Sequence, residues 1–227
     1  MYKIGMVYVG QLPEDDLLPY LHRSFTKPVE VLERGLLDSL DAAGILALGP
    51  EPGTPGIVSR LRDGSLTLLS HSKIIPGVQR EVDQLVADGA EFVVILCGAD
   101  WSDIWSSRLV VNPGKLFPGV VSALAGRRRL GVIKPSEGQI QKETRRYADL
   151  GVEAIVTAAE PSGDASRLRA AREAGLYLKE ARVDLVWMSC VAMDAPMRAE
   201  VEQVVGKPVI LARSLLAGIL DELVPAQ

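Results

Sequence analysis

The sequence predicts an α/β protein of mainly parallel sheets covered by helices and built from two similar halves, and three observations carry that reading. The first is alternation. Apolar, strand-like runs at residues 4–9, 66–70, 92–97, 130–134, 154–157, 185–190 and 209–212 alternate with helix-like stretches that start at 13, 73, 136, 164, 194 and 214. Such βα alternation is what a parallel sheet with crossover helices requires. The second is helical periodicity: Ile75, Val78, Val82 and Leu85 share one face, as do Leu215, Leu216, Ile219, Leu220 and Leu223. The third is an echo. "EFVVILCGAD" at 91–100 and "VDLVWMSCVAMD" at 183–194 each set an acid, an apolar run, a cysteine and a second acid in the same order, and they hold the chain's only two cysteines.

The punctuation between elements agrees. Asp164 and Asp194 read as helix N-caps, with Pro196 tolerated in a first turn. "GPEPGTPG" at 49–56 reads as a loop, because proline and glycine forbid a regular element there. The echo implies an internal pseudo-repeat, and the expected halves are residues 1–112 with 207–227 and residues 113–206.

At 227 residues and 48% hydrophobic, the chain has enough apolar surface for a substantial core. A net charge of −4 argues against a nucleic-acid partner, and Arg127, Arg128 and Arg129 form too short a basic run to alter that. No apolar segment reaches the length of a membrane span, and the start "MYKIGMVYVG" lacks the order of a signal peptide. A cytoplasmic protein with free thiols is therefore expected. The apolar helices suit a homo-oligomer and an intramolecular core equally well.

Strand ends are where open α/β sheets bind ligands. Cys97 and Cys190 both close strand-like runs and both precede expected helix starts, where the helix N-terminus favours a thiolate. A buried structural cysteine is the competing reading for each. With only His22 and His71 beside two distant cysteines, no metal set is apparent. The loop at 49–56 lacks the lysine and hydroxyl of a phosphate loop, and Lys134 and Lys179 carry no Schiff-base context, so no cofactor is expected. Ser136 and Ser162 follow strands and offer hydroxyls to an anion or to a helix cap. After Cys97 come Asp100, Trp101, Asp103 and Arg108, with Arg108 a candidate for bidentate carboxylate binding. If the cysteines are core residues, Gln11, Glu14, His71 and Arg108 remain as site candidates.

"GQLPEDDLLPYL" at 10–21, "RGLLDSL" at 34–40, "SRLRDGS" at 59–65 and the two cysteine segments together give a chain that resembles the AroM family. Through it the chain is similar to the aspartate/glutamate (hydantoin) racemase superfamily. That resemblance implies two pseudo-symmetric three-layer αβα lobes with a cleft between them. It implies a small carboxylate substrate, with Cys97 and Cys190 as reciprocal base and acid and with neither metal nor pyridoxal phosphate. Relatives on such a scaffold isomerise or decarboxylate small acids, so a racemase-like isomerase is the leading expectation. A decarboxylase, a cis-trans isomerase or a non-catalytic ligand-binding protein are the rivals.

The substrate would rest on backbone N–H groups at Gly98, Ala99, Val191 and Ala192, with Gln11, Arg108 and Ser136 as further ligands. Several residues depart from the superfamily pattern. Gly98 and Ala99 replace a hydroxyl residue, Val191 to Met193 lack a glycine or polar side chain, Glu14 stands for arginine, and Ser189 stands for an acid. Ordinary aspartate or glutamate is therefore not the expected substrate.

Overall fold

The computed structural model describes every residue except Pro55 and Gln227. The chain divides into two compact units, Met1–Lys115 with the segment from Ile219 onward, and Leu116–Gly218.

The first unit is built on β1 (Tyr2–Tyr8), α1 (Leu17–Ser24), β2 (Val29–Gly35), α2 (Ala42–Ala47), the pair β3 (Ile57–Arg60) and β4 (Leu66–Leu69), α3 (His71–Ala87), β5 (Phe92–Ile95) and β6 (Leu109–Val111). Its main sheet has the order β2-β1-β5-β6, parallel at every pairing, and β3 and β4 form a separate antiparallel hairpin. All four residues of β5 are buried. A strand covered on both faces reads as an unbroken apolar run rather than an alternating one, which is why "FVVI" contains no polar residue. The core gathers Val7, Val78, Val82, Leu85, Val93, Ile95 and Trp101.

α4 (Pro113–Ala125) leads into the second unit. There follow β7 (Leu130–Lys134), a 3₁₀ turn (Glu137–Gln139), α5 (Ile140–Asp149), β8 (Ala154–Ala158), α6 (Asp164–Glu180), β9 (Leu185–Met188), α7 (Ala195–Val205), β10 (Val209–Leu211) and α8 (Ala212–Leu223). The sheet order is β8-β7-β9-β10, again parallel throughout. Asp194 caps α7 as the sequence predicts, its carboxylate accepting from the Met197 N–H at 2.9 Å. Gly163 rather than Asp164 occupies the cap position of α6.

Each unit thus lays its first strand beside its second on one side and its third and fourth on the other. β1, β2, β5 and β6 correspond to β7, β8, β9 and β10. The packing repeats too. Gly5 of β1 lies opposite Val93 and Gly131 of β7 opposite Val186, each in the first strand beside the cysteine-bearing one. A Cβ on Gly5 would meet Leu85 of α3 at 3.1 Å, and one on Gly131 would meet Leu178 of α6 at 2.9 Å. Glycine at these two points lets the covering helix settle on the strand.

Several elements differ from the sequence reading. The cysteine-bearing strands end at Ile95 and Met188, two residues short of the thiols. β2 has no clear strand signal in the sequence because Glu30 and Glu33 interrupt its apolar pattern, as an edge strand permits. β10 pairs with β9, so residues 207–218 belong with the second unit and not with the first; a three-residue strand carries no mark of which sheet it joins. Residues 49–56 form no helix or strand where described, and Pro55 lies outside the described residues.

Gly5→Ala and Gly131→Ala should each lower the unfolding free energy by about 1–3 kcal/mol through overpacking, read as a shifted urea midpoint. An unchanged midpoint in both would contradict this close helix approach.

Candidate functional site

Each cysteine is placed by the sheet two residues beyond the last strand residue. In the first unit the ladder continues as Leu96 N–H donates to the Val7 carbonyl at 2.9 Å; in the second, Ser189 N–H donates to the Ile133 carbonyl at 3.0 Å. Because Val7 faces Ile95 and Ile133 faces Met188 in register, these are the same bond in the two units. Cys97 and Cys190 are the next residues, both partly buried and neither in a disulfide.

No helix follows Cys97, contrary to the expectation from the sequence. Residues 96–108 form a loop without helix or strand. Trp101, 2% exposed, folds back beneath it, its indole N–H donating to the Cys97 carbonyl at 3.2 Å. His71, the first residue of α3, packs on that indole with ring centroids 5.0 Å apart, and its Nε2 is buried with no hydrogen-bond partner. Asp100 Oδ1 accepts from Ser102 N–H at 3.0 Å, from the Ser102 hydroxyl and from Asn112 Nδ2 at 3.1 Å. Partial burial pushes the Asp100 carboxyl up, but the Ser102 and Asn112 bonds and the Lys115 charge outweigh it and hold the group below its usual range. Gly98 is exposed, while Ala99 is pressed against α4: a Cβ on Gly114 would lie 1.9 Å from the Ala99 carbonyl oxygen.

Arg108 does not join this end. It pairs with Glu91 at 3.0 Å, and Glu91 precedes β5 whereas Cys97 follows it. At about 3.3 Å per residue the two ends of this segment are about 20 Å apart. An arginine eleven residues past the cysteine looks near in sequence, but the loop between them returns to the amino edge of the sheet.

Gln11 lies just past β1, yet both ends of its amide serve the fold. Nε2 donates to the Leu37 carbonyl at 3.2 Å, and Oε1 accepts from Arg62 N–H at 3.1 Å. Glu14 accepts from the Leu18 N–H at 2.8 Å, at the start of α1. His22 pairs with Glu33 at 2.7 Å.

In the second unit Cys190 sits in a turn that leads to α7. The Ala192 and Met193 amides donate toward its thiol, and its carbonyl accepts from Met193 N–H at 3.1 Å. Arg213, 2% exposed, donates Nε–H to the Val191 carbonyl at 2.9 Å. The Lys134 ammonium pairs with the buried Glu143 carboxylate at 3.4 Å. Burial pushes the Cys190 thiol above its ordinary value, against the opposing pull of the Ala192 amide, Lys134, Arg213 and the Met193 amide. Cys190 packs against the apolar core of this unit, which includes Met188, Met193 and Met197, and the residue as a whole keeps some exposure. Behind the ion pair, burial and the Glu143 charge raise the Tyr147 phenol well above its usual range, and its hydroxyl is buried without a partner. Ser136, just past β7, precedes the 3₁₀ turn, with its carbonyl accepting from Gln139 N–H at 3.2 Å. Ser162 donates to Glu160 at 2.6 Å.

The sequence reading weighed Lys134 only as a Schiff-base lysine and did not single out Arg213. The signal was register. Ile133 and Leu211 both face Met188, so one step on from Ile133 comes Lys134, the last residue of β7, and two steps on from Leu211 comes Arg213, on either side of the Ser189–Cys190 turn. Among the described residues, no group of three or more His, Cys, Asp or Glu is placed to hold a metal ion, and no helix is long and apolar enough to cross a membrane.

A family model described as AroM protein matches residues 4–224. The chain belongs to the AroM family. No curated protein matches it. Solved structures place this AroM-family chain on the aspartate/glutamate racemase fold. An aspartate racemase from Picrophilus torridus aligns with TM-score 0.58 and 11% identity over 98% of this chain and 94% of its own. A glutamate racemase isoform from Bacillus anthracis aligns with TM-score 0.58 and 15% identity over 98% and 81%. An arylmalonate decarboxylase aligns with TM-score 0.56 and 13% identity over 98% and 94%.

Gly114→Ala should destabilise the chain by about 3 kcal/mol, since the backbone around Ala99 must move. It should also change the alkylation rate of Cys97 in the folded protein; a native unfolding midpoint and a native alkylation rate would contradict the contact.

Proposed function

We propose that this AroM-family chain is a cofactor-independent, racemase-like isomerase of a small carboxylate, with Cys97 and Cys190 as its acid and base. The observation that carries the reading is the repeat itself. Two units of one strand order each place a cysteine two residues beyond the third strand, after the same extra ladder bond. A structural cysteine needs no such matched placement.

The chemistry follows from thiol properties. A thiolate removes the proton next to the carboxylate, giving a carbanion whose charge spreads into that carboxylate, and the other thiol donates a proton to the carbon. A free thiol of pKa about 8.5 is only a few per cent ionised at neutral pH, so the surroundings of each sulfur set the rate. The backbone amides of Gly98, Ala99 and Val191 and the Ser136 hydroxyl are the groups we assign to the substrate carboxylate. The Ala192 amide, also a candidate, is turned toward the Cys190 sulfur instead. With Gly98 and Ala99 after one thiol and Val191, Ala192 and Met193 after the other, the substrate's side chain is better suited to an apolar group than to a second carboxylate.

A decarboxylase on the same two thiols is the second reading, supported by the likeness to arylmalonate decarboxylase. There carbon dioxide leaves in place of the first proton, and a thiol still protonates the carbanion.

The test is solvent deuterium entering the carbon next to the carboxylate across a panel of amino, hydroxy and aryl-substituted acids. Cys97→Ala and Cys190→Ala should each reduce exchange by about 100-fold or more, the usual weight of a general acid or base. Full exchange in both variants would overturn the two-thiol mechanism. Because burial raises the Cys190 thiol, exchange that depends on its thiolate should increase as pH rises through neutrality, and a rate falling over that range would contradict it.

A further inference from the structure

We propose that Lys134 is the positioning residue of Cys190: clamped by the buried Glu143 carboxylate, its ammonium stands beside the cysteine turn and stabilises the thiolate when Cys190 gives up its proton. The inference deepens the reading above, since it takes Cys190 as a reacting thiol.

Three observations support it. Register comes first, because Ile133 faces Met188 and the next residue of β7 is therefore level with Ser189, one residue from the thiol. The neighbouring backbone is fixed on both sides: the Lys134 carbonyl accepts from Ala159 N–H at 2.8 Å, and the Ser189 hydroxyl donates to the Ile133 carbonyl at 3.0 Å. Burial comes second. The side chains of Lys134 and Glu143 are 12% and 8% exposed, so this pair is removed from water, where a charge reaches farther than it does at the surface. A buried ion pair of this kind is a weak source of stability, which leaves its placement next to a thiol in need of another reason. The third is the contrast with the first unit. Val7 corresponds to Ile133, so the position of Lys134 is held there by Tyr8, and the matching residue to Arg213 is Gly114. The cations therefore belong to one half of the repeat and not to the fold they share.

The charged groups around the turn are few. Lys134 comes from β7, with Glu143 and Arg146 of α5 behind it, Arg146 lying 3.9 Å from the same carboxylate oxygen. Arg213 comes from α8. Asp194 caps α7 and is already paired with Arg167 of α6 at 3.0 Å. Burial opposes ionisation of the thiol, and Lys134 and Arg213 oppose burial. Arg213 is tied to the Val191 carbonyl, which makes Lys134 the cation that can be altered with least damage to the turn.

The experiment uses the full chain carrying Cys97→Ala, so that Cys190 is its one thiol, and follows iodoacetamide alkylation against pH. Alkylation reports the thiolate fraction. Replacing the pair together, Lys134→Gln with Glu143→Gln, removes both charges and leaves neither buried alone. It should slow alkylation at pH 7 by about tenfold, a midpoint raised by about one pH unit. Lys134→Arg should keep the parent rate within about twofold. Glu143→Gln alone, which leaves the ammonium unopposed, should speed alkylation and lower the midpoint, and this variant carries the test if the double replacement does not fold. A parent-like midpoint in the double variant or in Glu143→Gln, or a Lys134→Arg variant as slow as the neutral one, would overturn the proposal. Because the readout is thiol ionisation and not turnover, its failure is separable from failure of the exchange reaction.

Discussion

The structure depends on a hydrogen bond that runs one residue past each cysteine-bearing strand. Leu96 N–H to the Val7 carbonyl and Ser189 N–H to the Ile133 carbonyl extend two parallel ladders beyond β5 and β9. In a parallel sheet the register of one pair fixes everything beyond it, since a slip of one residue would turn each side chain to the other face. That register sets the cysteines at carboxyl ends, brings Lys134 and Arg213 alongside one of them, and sends Arg108 to the opposite edge. The glycines at 5 and 131 serve the same end from the side, letting α3 and α6 press on the strands that hold the ladder.

What the two units share is backbone, and what they do not share is polarity. Around Cys97 the turn is stiffened by Trp101, by the close contact between Ala99 and Gly114, and by Asp100 gathering Ser102 and Asn112. Around Cys190 the turn is bound by Arg213 and by the amides of Ala192 and Met193, with a lysine–glutamate pair behind it. A duplicated scaffold with unequal thiols suits proton transfer in which one sulfur starts as the base and the other as the acid.

Much of the fold was legible because buried parallel strands write themselves as apolar runs, as in "FVVI" and "LGVI", and because the echo around the cysteines marks the repeat. β2, with glutamates at 30 and 33, and the short β3 and β6 were not legible, because an edge strand or one of three or four residues carries too little pattern to separate from a loop. The site was legible in part. Its cysteines stand out as the only two, but Arg108 misled because sequence proximity says nothing of which end of a strand a loop returns to. Gln11 misled because an amide beside a strand end can be consumed by the fold. Lys134 and Arg213 were hidden for the opposite reason: one ends β7 and the other opens α8 just past β10, and only register brings them to one turn.

The proposed function makes Cys97 and Cys190 the acid and base for one substrate. It is tested most directly by alkylating both cysteines in the presence of increasing concentrations of a carboxylate that supports exchange, with each adduct followed by mass spectrometry. The account predicts that Cys97 and Cys190 are protected together, with a single midpoint. Protection of one thiol alone, or two unrelated midpoints, would contradict it.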